Sequence, residues 1–468
     1  MKKLNFAKAS CLLFGLCLAL AIHAPAQTFT VLQNFPNSAP TAGLIQGLDG
    51  NFYSTLAGGE IGFQGNVYQM TPSGTYTVVL GFSGSSGDFP YAPLVLASNG
   101  FFYGSTAQGG PALEGNIYKM TANGRLTSLY SFCMTDCSDG SNPEVPLVQL
   151  GNGDLYGATN STIFKITLAG TLTTLYNFCP GTTCTGGPPN PSGLTLGSDG
   201  NFYGVTSAGG TSKDGTVFKM TPSGTLTTLY TFSGTDGANP IGPLVQYSDG
   251  SLYGMTYSGG TGVSRACSAA GSCGTIFKIT TAGALTTLHE FGGTDGANPN
   301  AGLILASDGN FYGTTGYGGN NPTNAGTAFV VSPTGALKTI YDFCSQAFCL
   351  DGGNPRTPLT QGTNGMLYGT AHEGGTQTNG TFFSLSRGLT PYVMTTPAVG
   401  NVGTKVIILG NNLTGTTAVT FHGAAAAFTV VSDTELTATV PTGATTGRVI
   451  VTTPSATLST NVSFRVGH

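Results

Sequence analysis

Tryptophan is absent from this chain and charge is scarce. Asp, Glu, Lys and Arg together make up 8% of the residues, with 16 basic against 20 acidic side chains and five histidines. Each shortage excludes something. Sugar-stacking platforms, which favour tryptophan elsewhere, would here have to be built from tyrosine. Without basic clusters the surface offers no counter-charge to nucleic acid or to an anionic membrane. No apolar run is long enough to span a bilayer. Positions 28–386 show no useful window of helical periodicity. There is no Gly-x-Ser-x-Gly elbow, no His-Glu-x-x-His pair and no Walker loop.

What is present is glycine, at 73 positions, with 19 tyrosines and 27 phenylalanines set in alternating apolar runs that argue against disorder. The runs recur. An Asp/Asn-Gly turn followed by Phe/Leu-Tyr appears seven times, placing Tyr53, Tyr103, Tyr156, Tyr203, Tyr253, Tyr312 and Tyr368 at spacings of 47 to 59 residues. A period near fifty means a repeat architecture. In the copy at 239–291, four strand-like runs are visible: 243–247, 251–256, 275–280 and 284–291. Asp249-Gly250 joins the first two as a hairpin turn, and Thr-Ala-Gly joins the last two.

Four antiparallel strands per repeat make the blade of a β-propeller. A fourth-strand pattern also occurs at 28–35, before the first complete copy, and the last copy stops after its third run at 381–386. The offset predicts a seven-bladed ring latched by its N-terminal strand. Over 28–386, and best at 199–232, the repeat resembles the GloVer-type (Gloeo/Verruco) tandem repeat of secreted bacterial proteins. That family is defined by its repeat, so the resemblance implies no particular reaction.

Residues 1–26 read as a signal peptide: Lys2, Lys3 and Lys8 precede an apolar core at 11–22 and the small-x-small site Ala24-Pro25-Ala26. Its removal leaves 13 basic against 20 acidic residues, a balance of −7. Eight cysteines remain, in local pairs Cys133/Cys137, Cys179/Cys184, Cys267/Cys273 and Cys344/Cys349. Close spacing and export together predict disulfides that each staple one loop. Metal binding is the rival, but no pair has histidines at ligand spacing.

Links alternate between the two faces of an antiparallel blade. The first-to-second and third-to-fourth links are tight and nearly constant. The second-to-third and inter-blade links vary in length and carry all four cysteine pairs. Function sits preferentially on irregular loops of a rigid scaffold, so the variable face is the expected working face. There, a recurring Asp-Gly-x-Asn-Pro places Asp139, Asp236, Asp295 and Asp351, with Asp88 as the nearest equivalent in the second blade. One reading is a carboxylate ring around the channel mouth, able to hold Ca²⁺. The other is that Asp and Asn cap turns while Pro fixes the backbone. The hairpin aspartates Asp49, Asp199, Asp249 and Asp308 exchange with Asn between copies, which suits a turn. Tyr257 and Tyr317 replace an alanine of other copies and could stack on a sugar. Acids that break the repeat are Glu60, Glu114, Asp214 and Glu373, the last beside His372. His289 and Glu290 fall in a fourth strand and read as rim surface. No residue is assigned a catalytic or metal-binding role.

After Arg387 the composition shifts to Ala, Val and Thr in about seven short strands over 397–466. Size and spacing suit an immunoglobulin-like sandwich. The runs at 402–413, 418–421 and 439–444 make it similar to the IPT/TIG family, whose modules serve as spacers or contact domains. The absence of a sorting motif or terminal hydrophobic helix gives no support for cell anchoring.

The expectation is thus all-β: signal peptide 1–26, seven-bladed propeller 27–387 and IPT/TIG module 388–468. It is expected to be a secreted monomer, without nucleic-acid binding or membrane insertion. Its main functional reading is a non-catalytic binding or adhesion scaffold for an extracellular polysaccharide or cell-surface protein. The alternative is a polysaccharide hydrolase or lyase using acids of the variable face. No cofactor is expected beyond the Ca²⁺ reading.

Overall fold

The computed structural model describes residues 27–58, 64–179, 190–261, 267 and 273–467. The signal-peptide reading (1–26), Glu60 and Cys184 lie outside the described residues. Among those described, helix is limited to two three-residue 3₁₀ turns, Gly84–Ser86 and Ala347–Cys349. Among the described residues no helix is long and apolar enough to cross a membrane.

The repeat folds as its patterning dictates. In the fifth sheet, Ala238–Gln246, Leu252–Ser258, Thr275–Ile279 and Leu285–Glu290 pair antiparallel in chain order. The first strand starts earlier than the apolar run suggested, because Ala238 and Pro240 also pair with the second strand. Asp249 caps the hairpin by accepting from Ser251 N at 2.9 Å, and Gly250 supplies the required φ of +84°. Seven such four-stranded sheets follow one another. The seventh is completed from the start of the chain: Thr28–Asn34 pairs antiparallel with Thr381–Ser386, Thr28 opposite Ser386 and Asn34 opposite Thr381.

The Phe-Tyr dipeptide explains how the sheets pack. Period-2 alternation sends the two rings to opposite faces of a sheet. Tyr53 meets Phe102 of the second sheet at 4.5 Å, Tyr156 meets Phe202 at 4.6 Å and Tyr253 meets Phe311 at 4.3 Å. Tyr368 of the seventh sheet meets Phe52 of the first at 4.4 Å, so the packing closes on itself. Each of these rings is buried, and burying one contributes about 1.5–3 kcal/mol. Glutamines reinforce the cycle at the tight-turn end. Gln149 accepts from Ser98 N of the preceding sheet at 2.8 Å and Gln246 from Ser198 N at 2.7 Å, while Gln46 accepts from Thr363 N at 3.0 Å across the closure.

The interchange of Asp and Asn at the hairpin also has a physical reason. Both types cap the turn and both reach the tyrosine hydroxyl. Tyr203 donates to Asp199 at 2.8 Å, whereas Asn99 donates to Tyr103 at 2.9 Å. Burial alone would raise the Asp199 carboxyl, but hydrogen bonds from Lys219, Asn201 and Tyr203 pull it down to about 2. A carboxyl whose folded value lies below its unfolded one, about 3.9, stabilises the fold above that pH. The contribution is lost as pH falls through about 2. The denaturation midpoint of Asp199→Asn is therefore expected to fall less between pH 4 and pH 2 than that of the parent. Equal acid slopes would show that this carboxylate contributes nothing to acid sensitivity.

Besides a two-stranded sheet, in which Val399–Asn401 pairs parallel with Arg465–Gly467, residues after Arg387 form two further four-stranded sheets. Met394–Thr396, Lys405–Leu409, Glu435–Thr439 and Phe428–Val430 make one, and Ala424–Ala425, Ala418–Phe421, Val449–Thr452 and Thr457–Ser459 the other. They enclose a core that includes Val406, Ile408, Val419, Leu436 and Val451. The alternate residues of the same strand, Ile407 and Leu409, point the other way and join the cluster of Tyr53, Phe102 and Tyr118 between the first two sheets of the ring. Thr434 Oγ1 donates to Leu48 O at 2.6 Å, Thr396 Oγ1 to Leu96 O at 2.5 Å and Asn411 Nδ2 to Thr363 Oγ1 at 2.7 Å. The sandwich therefore covers the tight-turn face. Disulfides join Cys133–Cys137, Cys267–Cys273 and Cys344–Cys349.

Candidate functional site

With one face of the ring covered by the sandwich, the other mouth lies on the variable face. Its geometry starts at the Asn-Pro joint. Asn142, Asn190, Asn239, Asn298 and Asn354 have φ between +45° and +54°, a left-handed conformation that Asn tolerates better than most residues. The amide of this Asn then ties the joint to the neighbouring sheet. Asn142 Nδ2 donates to Ala107 O at 3.0 Å and Asn239 Nδ2 to Ser207 O at 2.9 Å.

The residue after the proline faces the mouth. A concavity of about 670 Å³ is lined there by Thr41, Tyr91, Glu144 and Ser192 of the first four sheets and by Ile241, Asn300 and Arg356 of the last three. There is one per sheet and no two are alike, although the residues around them repeat. A collar of glycine and proline forms the floor. A Cβ on Gly43 would meet Pro358 Cγ at 3.0 Å, and one on Gly302 would meet Pro243 O at 3.2 Å. Asn142, Asn160, Asn190 and Ser207 add amides and a hydroxyl to the wall. The lining mixes these polar groups with a larger apolar surface of glycine, proline, alanine, Val145 and Ile241, and carries one exposed ring, Tyr91, 41% accessible.

Two charged groups stand in it, from sheets that are not neighbours. Glu144 is exposed to solvent, and partial desolvation by the surrounding wall raises its carboxyl above the usual range. Arg356 Nη2 lies 3.8 Å from Glu373 Oε1, which also accepts from Asn354 Nδ2 at 2.8 Å. Burial and then the Arg356 charge lower the neighbouring His372 below its ordinary value, which favours the neutral ring at pH 7.

The four aspartates of the Asp-Gly-x-Asn-Pro motif do not line the mouth, so the expected carboxylate ring is not formed there. Each is turned toward the outer strand of the sheet before it. Asp139 accepts from Tyr130 OH at 2.7 Å, Asp236 from Tyr230 OH at 2.5 Å and Asp351, fully buried, from Tyr341 OH at 2.7 Å. Asp295 pairs with His289 Nε2 at 2.7 Å, so His289 is half-buried and engaged, not free rim surface. Backbone N–H groups complete the caps, from Ser233 to Asp236 at 2.9 Å and from Gly292 to Asp295 at 2.8 Å. Burial, with the carboxylate as acceptor, pushes the Tyr130 and Tyr230 hydroxyls up to about 12.

Tyr257, near the end of the second strand of the fifth sheet, is half-buried, and Tyr317, on the second-to-third link of the sixth, is 38% accessible; both lie outside the mouth. Glu114, Asp214 and Glu373 stand in the second, fourth and seventh sheets, and none of them lines the mouth. Among the described residues no three His, Cys, Asp or Glu side chains come together as a metal site. The residues that the motif reading passed over are the seven after each proline. Their signal was variation in a fixed frame: the one inner-strand position that changes in every copy.

A family model described as the Gloeobacter/Verrucomicrobia repeat matches residues 19–190 and 190–431. No curated protein matches the chain. Among solved structures the chain is similar to a streptogramin B lyase, with a TM-score of 0.54 and 17% identity over 77% of this chain and 97% of that one. It is also similar to virginiamycin B lyase from Staphylococcus aureus, with a TM-score of 0.52 and 15% identity over 77% and 98%. A third is the extracellular domain of a hybrid two-component system protein of B. thetaiotaomicron, with a TM-score of 0.51 and 12% identity over 82% and 46%. At these identities the likeness shows an all-β, propeller-like fold and nothing of the chemistry.

Proposed function

We propose that this chain, which belongs to the Gloeobacter/Verrucomicrobia repeat family, is a secreted, non-catalytic scaffold that binds an extracellular glycan at the variable mouth. In this reading residues 27–387 are a seven-bladed β-propeller, 388–468 an immunoglobulin-like module of IPT/TIG type, and 1–26 a signal peptide. The observation that carries it is the ring of seven unlike side chains at a mouth whose framework repeats. Amides and hydroxyls suit the hydroxyl groups of a sugar, and Tyr91 offers a face for stacking. Tyr257 and Tyr317 extend the contact surface outward on the fifth and sixth blades.

The alternative is a polysaccharide hydrolase or lyase, and Glu144 favours it most, because a raised carboxyl standing exposed in the mouth suits a general acid. Glycoside hydrolysis, however, uses two carboxylates a few ångströms apart. Glu144 is the single carboxylate lining this mouth among the described residues.

The test uses purified 27–468 and a panel of polysaccharides, scoring both retention and newly formed chain ends. Retention without new ends is expected, with Tyr91→Ala weakening it about tenfold or more. New ends that disappear in Glu144→Gln would replace the scaffold with an enzyme. Neither retention nor cleavage across the panel would sink the glycan reading.

A further inference from the structure

The sandwich does not seal flat against the ring. Between them lies a second, larger chamber of about 940 Å³, within the size range of small-molecule pockets, about 300–1,000 Å³. The pleat of the innermost strands lines its wall with Ile45, Val95, Val148 and Val245, and the sandwich roofs it with Met394 and Val399. Two arginines of the sandwich also line it. Arg465 sets its guanidinium against Gly200, and Arg448 Nη1 donates to Thr460 O at 3.1 Å. Among the described residues neither has a carboxylate within ion-pair distance. The acid in the lining, Asp249, is held by Lys278 at 2.8 Å. The chamber is thus apolar with uncompensated positive charge, in a chain whose net charge is −4.

It also has an opening. The sandwich meets the turns of the other sheets, as at Leu48, Leu96, Gly151, Gly200, Ser307 and Thr363. At the fifth sheet Gly250 has nothing within 4 Å of where a Cβ would stand, and Val462, which lines the same chamber, is 46% exposed.

We propose that this chamber binds an amphipathic carboxylate, a straight-chain fatty acid that enters at the fifth sheet. Its hydrocarbon lies along the valine-lined wall and its carboxylate is drawn to Arg448 and Arg465. Burial of apolar chain in the channel provides the affinity, and the guanidiniums select the charged head.

The experiment is a titration of purified 27–468 with straight-chain carboxylic acids of increasing length and with their methyl esters, at fixed ionic strength. Affinity for the acids is expected to rise about fourfold per added methylene until the chamber is full, then to level off. Esters are expected to bind about tenfold more weakly than acids. Arg465→Gln should remove most of that preference and leave ester affinity unchanged, a pattern that misfolding cannot produce. Val148→Trp, which fills the channel, should abolish binding of both. Absence of saturable binding by any acid would overturn the proposal, as would equal affinity for acids and esters. Full binding by a folded Val148→Trp protein would place the ligand elsewhere and overturn it too.

Discussion

Removal of residues 27–35 is expected to abolish cooperative unfolding of the sheet ring. The deleted strand forms six register pairs with Thr381–Ser386. Phe29 lies flat on Tyr341 at 3.8 Å and also contacts Phe383. Phe35 is fully buried against Tyr68 and Tyr76, between the seventh sheet and the first. Without the strand, Thr381–Ser386 becomes an open, apolar edge, which invites pairing with other chains. Phe35→Ala alone is expected to cost about 3–5 kcal/mol, a large part of a typical 5–15 kcal/mol stability. With no tryptophan in the chain, far-UV circular dichroism against denaturant is the natural readout. A truncated protein that unfolds at the parent midpoint, with the parent steepness, would show that the ring does not depend on its latch.

Valine at Gly254 is expected to destabilise nearly as much, by about 3 kcal/mol or more. The Tyr-Gly pair of the repeat places a glycine opposite the ring of the third strand, with Gly254 paired to Phe277. A Cβ at Gly254 would meet Phe277 Cζ at 2.5 Å on one side and Leu244 Cδ2 at 2.6 Å on the other. Gly157 and Gly313 stand in the same relation to Phe164 and Phe329, each at 2.6 Å. Both neighbours of Gly254 are locked in dense core, so neither can yield cheaply. Its backbone is ordinary strand, so the cost is steric overlap and not a forbidden dihedral. A denaturant midpoint for Gly254→Val within 0.5 kcal/mol of the parent would mean that the core has room the geometry denies.

The two effects share a cause. A cyclic stack of sheets has no free end, so a defect in one contact surface is felt by the sheets on both sides. The sandwich adds to this through Ile407 and Leu409, which bury their side chains in the ring's own core.

Much of this was legible along the chain because it depends on neighbours a few residues apart. The Asp/Asn-Gly turn, period-2 alternation and tight third-to-fourth links set the four-stranded unit. Counting strands located the latch, because a strand left over at one end answers a strand missing at the other. The cysteine spacing likewise pointed to loop staples at Cys133–Cys137, Cys267–Cys273 and Cys344–Cys349. The Asp-Gly-x-Asn-Pro motif was half legible. Its turn chemistry could be read, but whether Asp139 faces the channel or Tyr130 depends on a hydroxyl from the preceding outer strand.

What packing between distant segments decided is which positions share a mouth. Thr41 and Arg356 are 315 positions apart in the chain, yet both line the same concavity because the innermost strands converge there. Nothing local marks that convergence. The same holds for the sandwich. Its Lys-Val-Ile-Ile-Leu strand is apolar on both faces, which shows that both will be buried but not against what. Only the docking of Ile407 and Leu409 on the first two sheets covers the tight-turn end and creates the arginine-lined chamber. Strand and turn formation answer to dihedral preference and side-chain period. The sites arise where surfaces from remote parts of the chain exclude water together.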